Sequence, residues 1–574
     1  MSAGAATPFI AAGRADAPPE RPWLASYPPG VPATLGALPV DTLAGLFHES
    51  LSRYPERPAL ESFGVRLTYG ELARHAAAVG AWLQEMGIRK GDRVAIMLPN
   101  IMAYPAILFG THMAGATVVN VNPLYTPREL IFQIQDSGAR ILFVIENFAH
   151  TVEAALPEMA LDKVVIVKPG DLLGFKGRIV NLVSRYVKKA VKPFSLPAAT
   201  AFGHVLARGR ARTMAPVAVG PDDVAFLQYT GGTTGTAKGA TLTHRNVTAN
   251  VVQCEVWMRA WLPDPQPIMV TALPLYHIFA LTACCLVMVR MGACQLLVAN
   301  PRDIPGFVKL LKTRPFTCLS GVNTLYNALM NAPGIEGVNF RQLVFCISGG
   351  MATQAAVAEG WKRLTGRPII EGYGLSETSP VVTVNRLDIE AFTGAIGYPL
   401  PSTDVDVRNA AGERLPAGEA GELCVKGPQV MRGYWNRPDE TAAAMTADGY
   451  FRTGDVAVMQ PDGLFRIVDR MKDMIIVSGF NVYPNEVEDV VASHPGVLEV
   501  AVVGAMNEKS GETVVAHVVR RDPTLSEAEL AAFCAERLTG YKVPRRFVFR
   551  TELPKTNVGK VLRRALKDEA GALH

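Results

Sequence analysis

The sequence predicts an α/β fold. A large N-terminal domain (residues 1–470) carries two doubly covered, mostly parallel sheets and a β-rich subdomain over about 394–470, and a small α+β C-terminal domain spans 471–574. Three observations predict this. The chain has 574 residues, 49% hydrophobic and 19% charged, too long for one ordinary core and too apolar for disorder. Short apolar runs alternate with helical patterns as far as residue 348, the signature of sheets covered on both faces. Beyond residue 394, short strands follow one another across Gly- and Pro-rich turns, and a closing stretch of about a hundred residues is sized for a separate domain.

The start, MSAGAATPFIAAGRADAPPERP, lacks the apolar core of a signal peptide and reads as a loose tail. TYGELARHAAAVGAWLQEMG opens with Thr68 and Glu71 at capping-box spacing, places Leu72, Ala76, Val79, Leu83 and Met86 on one helical face, and closes on Gly87. RVAIML (93–98) reads as a strand, 103–114 as a helix, ATVVNV (116–121) as a strand, the run from Thr126 as a helix and RILFVI (140–145) as a strand. The pattern recurs at KVVIVK (163–168) and LVFCIS (343–348). Residues 171–194 carry six Lys or Arg and one Asp among apolar residues. Such a basic amphipathic element either packs its apolar face on the protein or rests on anionic lipid. IFALTACCLVMV (278–289), bounded by His277 and Arg290, is too short to cross a bilayer and reads as a buried helix. DVDVR, GELCVKG and LFRIVDR supply the strands of the β-rich part, and the last unit mixes strands (VAVVGAM, VVAHVV, RRFVF) with helices (PNEVEDVVASH, SEAELAAFCAERL).

The 57 basic and 52 acidic residues leave a net charge of +5, too thin an excess to imply nucleic acid. Eight cysteines without a CxxC pair read as reduced, mostly buried thiols of a cytosolic protein.

Five stretches carry chemistry. Residues 229–240, YTGGTTGTAKGA, do not form a Walker A loop, because Lys238 follows Ala237 and precedes Gly239. The glycines still let backbone N–H groups face anionic oxygens, with hydroxyls from Thr233, Thr234 and Thr236 and a charge from Lys238. A phosphate cradle is expected, a flexible surface turn being the alternative. In LPLYHIFAL (273–281), His277 stands among apolar residues with no Cys, Asp or Glu spaced for a metal, and a satisfied core histidine is the plain reading. EGYGLSETSP (371–380) offers an aromatic face, a close backbone and a carboxylate, Glu377, of the kind that binds Mg²⁺ near phosphates; a helix cap by Ser376 or Thr378 explains it equally well. Asp455, in RTGD, suits ribose hydroxyls, and Arg470 can join it. Lys560, after the turn-prone Asn-Val-Gly, is by default a solvated charge.

YTGGTTGTAKG, GYGLSET, RTGD…DRMKD and PKTNVGK, in this order, resemble the adenylate-forming superfamily of acyl-CoA synthetases, luciferases and peptide-synthetase adenylation domains. NPRDIPGFVK, GVNTLYNAL, VKGPQVMRGYWNRPDET and KDMIIVSGFNVYPNEVEDVV look most like bacterial long-chain fatty acyl-CoA synthetases. The resemblance implies activation of a fatty acid by ATP with Mg²⁺, release of pyrophosphate, and transfer of the acyl group from the acyl-adenylate to coenzyme A. It implies ATP contacts from Thr230, Gly232, Thr233, Thr234, Gly235, Thr236 and Lys238, and from Gly349, Gly350 and the Glu371–Gly372–Tyr373–Gly374 segment, with Tyr373 on adenine. Thr378 is expected at the α-phosphate, Glu377 at the metal, Asp455 and Arg470 at the ribose. Lys560 is expected between the carboxylate and the α-phosphate, and His277 beside them as an orienting group or gate, since a carboxylate ionised at pH 7 needs no base. Where many relatives carry Ser or Thr after Tyr-Thr this chain has Gly231, so no hydroxyl is available there.

Lys560 would serve the first half-reaction, while Ser478, Gly479 and Phe480 would line the pantetheine channel in the second. One small domain can hardly present both faces together, so it is expected to be mobile and to rotate about DRMKD, with Lys472 near the pivot. LPLYHIFAL carries no carboxylate to pair with an ammonium group, which favours an apolar acid, and the run through 278–299 either walls an acyl channel or is plain core. A carrier-protein thiol in place of coenzyme A is the competing enzymatic reading, and a fatty-acid binding or uptake protein without turnover the non-enzymatic one. A cytoplasmic protein with peripheral contact at the inner face of the membrane is expected. The residues leave open whether it pairs as a homodimer.

Overall fold

Capped helices and two-faced apolar strands stack here into alternating layers. The computed structural model describes residues 21–230, 237–262, 266–507, 510–556 and 559–571. The Thr68–Glu71 capping box opens helix Tyr69–Glu85 as read from the sequence. A second box, Thr126–Glu129, opens Pro127–Ser137, which stops at Gly138 in the left-handed region (φ +61°).

One sheet has eight strands. Its parallel centre is Arg93–Met97, Thr117–Asn120, Ala139–Ile145, Lys163–Val167 and Val224–Thr230, and Lys238–Thr243 runs antiparallel beside the last of these. The pleat sends Val94 and Ile96 into the central core and Ala95 and Met97 into an outer one. A nine-stranded sheet, parallel from Pro58–Ser62 through Ile369–Gly374, divides its faces likewise: Met269 packs inward, Val270 and Ala272 outward against Phe307, Tyr326 and Trp361. Between the sheets lie helices apolar all round, as burial on every side demands. Residues 103–112 are all buried. So is the predicted helix after His277, a π-helical turn Ala280–Leu286 continued by Val287–Arg290. No helix among the described residues is long and apolar enough to cross a membrane.

The β-rich subdomain is a four-stranded antiparallel sheet of Asp404–Arg408, Ala420–Lys426, Phe451–Met459 and Phe465–Arg470. It is more interleaved with the body than the boundary at 394 suggested. Tyr398–Pro399 closes the nine-stranded sheet, and Gly433–Tyr434 pairs with Thr241 and Ala240 in the other.

After Arg470 the chain builds a five-stranded sheet, with the long hairpin Val497–Asn507 and Gly511–Arg520 at its heart. Helices Pro484–Ala492, Glu527–Ala535 and Arg563–Gly571 accompany it. Its two cores share no residue with those of the body, as a separate folding unit requires. It is seated on the body by Asn327 Nδ2, which donates to Leu498 O (3.0 Å), and by Asn485 N, which donates to Asp469 Oδ2 (2.9 Å).

Candidate active site

A cavity of about 2110 Å³ opens between the body and the C-terminal domain, and most of the residues singled out in the sequence line it. Strand Ile369–Gly374 forms one wall. Gly374 leaves no room for a side chain: a Cβ there would stand 1.9 Å from the Pro380 carbonyl oxygen. Tyr373 donates its hydroxyl to Asp455 Oδ2 at 2.6 Å. Antiparallel register pairs Asp455 with Arg470, whose Nε lies 3.4 Å from Asp455 Oδ1. Asp455 is 5% exposed, and burial pushes its pKa up against the pull of Arg470. Glu371 is also buried; desolvation lifts it to about 8 although Thr353 N donates to Oε1. At neutral pH it therefore keeps its proton.

Gly349 and Gly350 follow strand Phe345–Ser348. Gly350 has φ +80°, and a Cβ there would meet Lys560 Cε at 3.2 Å and Nζ at 3.4 Å, so the missing side chain is what lets the lysine lie against the backbone. Lys560 sits in a tight loop of the C-terminal domain. Its backbone N donates to Thr556 Oγ1 (3.0 Å), and Thr556 N donates to Lys560 O (2.6 Å). The Thr324 hydroxyl docks the loop on the body by donating to Gly559 O at 2.9 Å. Desolvation in the cleft, then the charge of Arg470, hold Lys560 down at about 8, with Asp455 opposing. His277, half-buried nearby, is pushed to about 3 by burial and by Lys560, and is neutral at pH 7. Its Nδ1 accepts from Phe279 N at 3.3 Å, which leaves the ring proton on Nε2.

Strands Val224–Thr230 and Lys238–Thr243 pair Thr230 with Lys238 across the mouth of the glycine–threonine loop. Gly231, Gly232, Thr233, Thr234, Gly235 and Thr236 lie outside the described residues. Lys238 Nζ is 2.5 Å from Glu440 Oε2 and 4.9 Å from the centre of the Tyr434 ring. The Tyr434 hydroxyl in turn donates to Glu377 Oε1 at 2.8 Å. Burial raises the pKa of Glu377, while Tyr434 and Lys238 favour its charged form. One buried carboxylate beside the strand end expected to meet phosphate suits Mg²⁺, which takes few protein ligands and completes its shell with phosphate oxygens and water. Among the described residues no cluster of three or more His, Cys, Asp or Glu offers a protein cage instead.

Thr378 is placed differently from its neighbours in the motif. It is fully buried and off the cavity wall, its hydroxyl engaged with the backbone of Leu375 and Pro380. It serves as the cap that the residues equally allowed, and in this arrangement the hydroxyl expected at the α-phosphate is turned to its own loop. Ser478, Gly479 and Phe480 also lie away from the cavity. They form an exposed hairpin turn, with φ +51° and +83° at the first two and Phe480 stacked on Tyr541 (centroids 4.8 Å apart, 23° between planes). Lys472 is exposed at the cavity rim, in the turn after Arg470. The lysine face of the domain is thus in the cleft and the hairpin face outside it.

The AMP-binding enzyme family profile matches residues 47–435, and the AMP-binding enzyme C-terminal domain profile matches 486–560. The chain belongs to the AMP-binding enzyme family. Over 551 residues it is 50% identical to a long-chain-fatty-acid–CoA ligase of Escherichia coli O6:H1, covering 96% of this chain and 98% of that one. A protein of the same name from Bacillus subtilis is 36% identical over 558 residues (97% and 99%). Among solved structures, ATP-bound MatB from Rhodopseudomonas palustris matches with TM-score 0.78 and 29% identity, over 92% of this chain and 98% of that one.

For this member of the AMP-binding enzyme family, sequence reasoning missed Tyr434 and Glu440. Both lie in GYWNRPDET, a phrase noticed without a role. It also missed the apolar wall that helix His244–Met258 supplies through Cys254, Trp257 and Met258. Of the run 278–299, only Ile278, Phe279 and Ala283 reach the cavity, and the remainder is core. Replacing Tyr434 with Phe removes the hydroxyl that orients Glu377. The Mg²⁺ concentration needed for half-maximal ATP–pyrophosphate exchange is expected to rise about tenfold, with activity recovering at high Mg²⁺.

Proposed function

We propose that the protein is a long-chain fatty acid–CoA ligase that forms acyl-adenylate and pyrophosphate first, and the coenzyme A thioester with release of AMP second. The observation that carries this reading is Lys560, brought by the C-terminal domain to Gly350 beside His277, Tyr373 and Asp455. A cation there stabilises the charge that gathers as the fatty carboxylate attacks the α-phosphate. Asp455 and Arg470 hold the ribose, Tyr373 flanks adenine, and Lys238 exchanges Glu440 for a phosphate. Mg²⁺, when bound at Glu377, neutralises charge on the phosphates. Neutral His277 orients the carboxylate and takes no proton. Apolar side chains lining the cavity, among them Trp257, Met258 and Val384, suit an acyl chain. The only carboxylate of helix His244–Met258, Glu255, is already engaged by Arg290 at 2.9 Å. The 50% identical relatives named long-chain-fatty-acid–CoA ligase support the acid and the thiol acceptor. The reading also places the protein in the cytoplasm, in peripheral contact with the inner face of the membrane.

Palmitate-dependent ATP–pyrophosphate exchange, followed by AMP release that requires coenzyme A, tests the proposal. Exchange with no AMP release on adding coenzyme A would favour a carrier-protein acceptor, and no exchange would leave a binding protein. The protonated form of Lys560 is the working one, so kcat/KM for the first half-reaction is expected to fall as pH rises through about 8. In Lys560→Arg the guanidinium stays protonated, and whatever activity survives should lack that alkaline limb.

A further inference from the structure

Large apolar side chains left in water gather at one place. Thirteen are exposed among the described residues, and six of them fall within 175–187: Phe175, Ile179, Leu182, Val183, Tyr186 and Val187. Scattered exposed apolar residues need no cause, whereas a contiguous patch marks a contact surface. These six ride on helix Gly174–Leu182 and the π-helical turn Val183–Val187. Phe175, Ile179, Leu182 and Tyr186 recur at steps of four, three and four, which is one helical face.

A surface helix ordinarily turns such a stripe inward. Here the inward side is small and polar instead, apart from Val180, which packs on the central core. Gly177 packs on Gly170 so closely that a Cβ on Gly177 would stand 2.0 Å from Gly170 O, and Asn181 Oδ1 accepts from Gly170 N at 2.7 Å. The helix is thereby fastened to the body with its apolar stripe facing out. Helical spacing sets Lys176 on one flank of the stripe and Arg178 and Arg185 on the other, and Lys188, Lys189 and Lys192 follow at its end. Lys176, Arg178, Lys188, Lys189 and Lys192 are exposed, and Arg185 stands 3.9 Å from Glu146. A second element reaches the same surface. The turn between Pro58–Ser62 and Val65–Thr68 carries Phe63, 52% exposed, and Lys176 Nζ lies 3.6 Å from where a Gly64 Cβ would stand.

We propose that this ridge, Phe63 with residues 175–187, docks on an anionic phospholipid bilayer. The apolar stripe would enter the headgroup boundary and the flanking cations would meet lipid phosphates. Charge complementarity selects this occupant. A bilayer offers apolar depth below a sheet of negative charge, which is what a convex apolar stripe edged by lysine and arginine fits. The proposal rests on the peripheral membrane contact in the reading above and assigns it a surface; it needs no substrate, so its failure would leave the ligase chemistry untouched.

The test is co-sedimentation of the full chain, without ATP or acid, with vesicles of phosphatidylcholine alone or with one-third phosphatidylglycerol. The native protein is expected to sediment with the anionic vesicles and to stay largely free of the neutral ones. The pair Lys188→Gln and Lys189→Gln should weaken binding on the order of fivefold per charge removed. Joint replacement of Phe175, Ile179, Leu182 and Tyr186 by Ser should abolish it. Both variants should keep the native melting temperature and native turnover of a soluble medium-chain acid in the absence of vesicles. Should the serine variant fail to fold, the lysine pair decides alone. Equal sedimentation with neutral vesicles, or native-like binding by these variants, would overturn the proposal. So would a native dimer that the serine variant splits, because the ridge would then belong to a second copy of the chain.

Discussion

Lys560→Ala is expected to slow acyl-adenylate formation by about 10²–10³-fold, the usual cost of one preorganised charge-stabilising donor. Thioester formation from preformed acyl-adenylate should change little. The asymmetry follows from placement. Lys560 reaches the cleft on a loop held by the Thr324–Gly559 hydrogen bond, and the hairpin expected to guide pantetheine is then exposed on another side of the same domain. Burst measurements of palmitoyl-AMP and pyrophosphate with palmitate and ATP, beside single-turnover thioester formation from palmitoyl-AMP, separate the two steps. Equal loss in both would refute the division of labour.

Gly479→Leu is expected to do the opposite. A Cβ at Gly479 meets nothing within 4 Å, so in this arrangement the side chain projects into solvent and ATP–pyrophosphate exchange should persist. The φ of +83° makes a non-glycine residue cost about 1–2 kcal/mol, confined to an exposed turn. Once the domain has turned, a leucine there would stand where the pantetheine arm must pass. Misplacing the thiol by an ångström or so costs about a hundredfold, and that loss is expected in the thioester step alone. An unchanged thioester rate would show that the hairpin never meets the cleft.

Much of the fold was legible because it rests on local demands. Thr68 with Glu71, and Thr126 leading into its helix, cap helices by bonds spanning three residues. RVAIML and RILFVI, short apolar runs, read as strands buried on both faces and form strands Arg93–Met97 and Ala139–Ile145. Much of the candidate site was legible for a similar reason: Gly374 stands where a Cβ would collide with Pro380, and Gly350, at φ +80°, lies tight against Lys560, and such needs leave a motif in the chain. What escaped the reading has a common origin. Thr378 carries a hydroxyl fit for phosphate, but whether it faces the cavity or its own turn depends on how 375–380 closes. Tyr434 and Glu440 gained their roles only because Gly433–Tyr434 was drawn onto the strand that begins at Lys238.

By itself the sequence determined the strand and helix periodicities, the glycines that keep backbone close to backbone, and the motif order that marks the family, since each is a demand on neighbouring residues. Only the tertiary structure decided which face of the C-terminal domain meets the cleft and which hydroxyl positions Glu377. It also decided that the stripe at 175–187 is turned to water. Those outcomes depend on contacts between segments up to hundreds of residues apart and on which surfaces exclude solvent, and no local pattern encodes them.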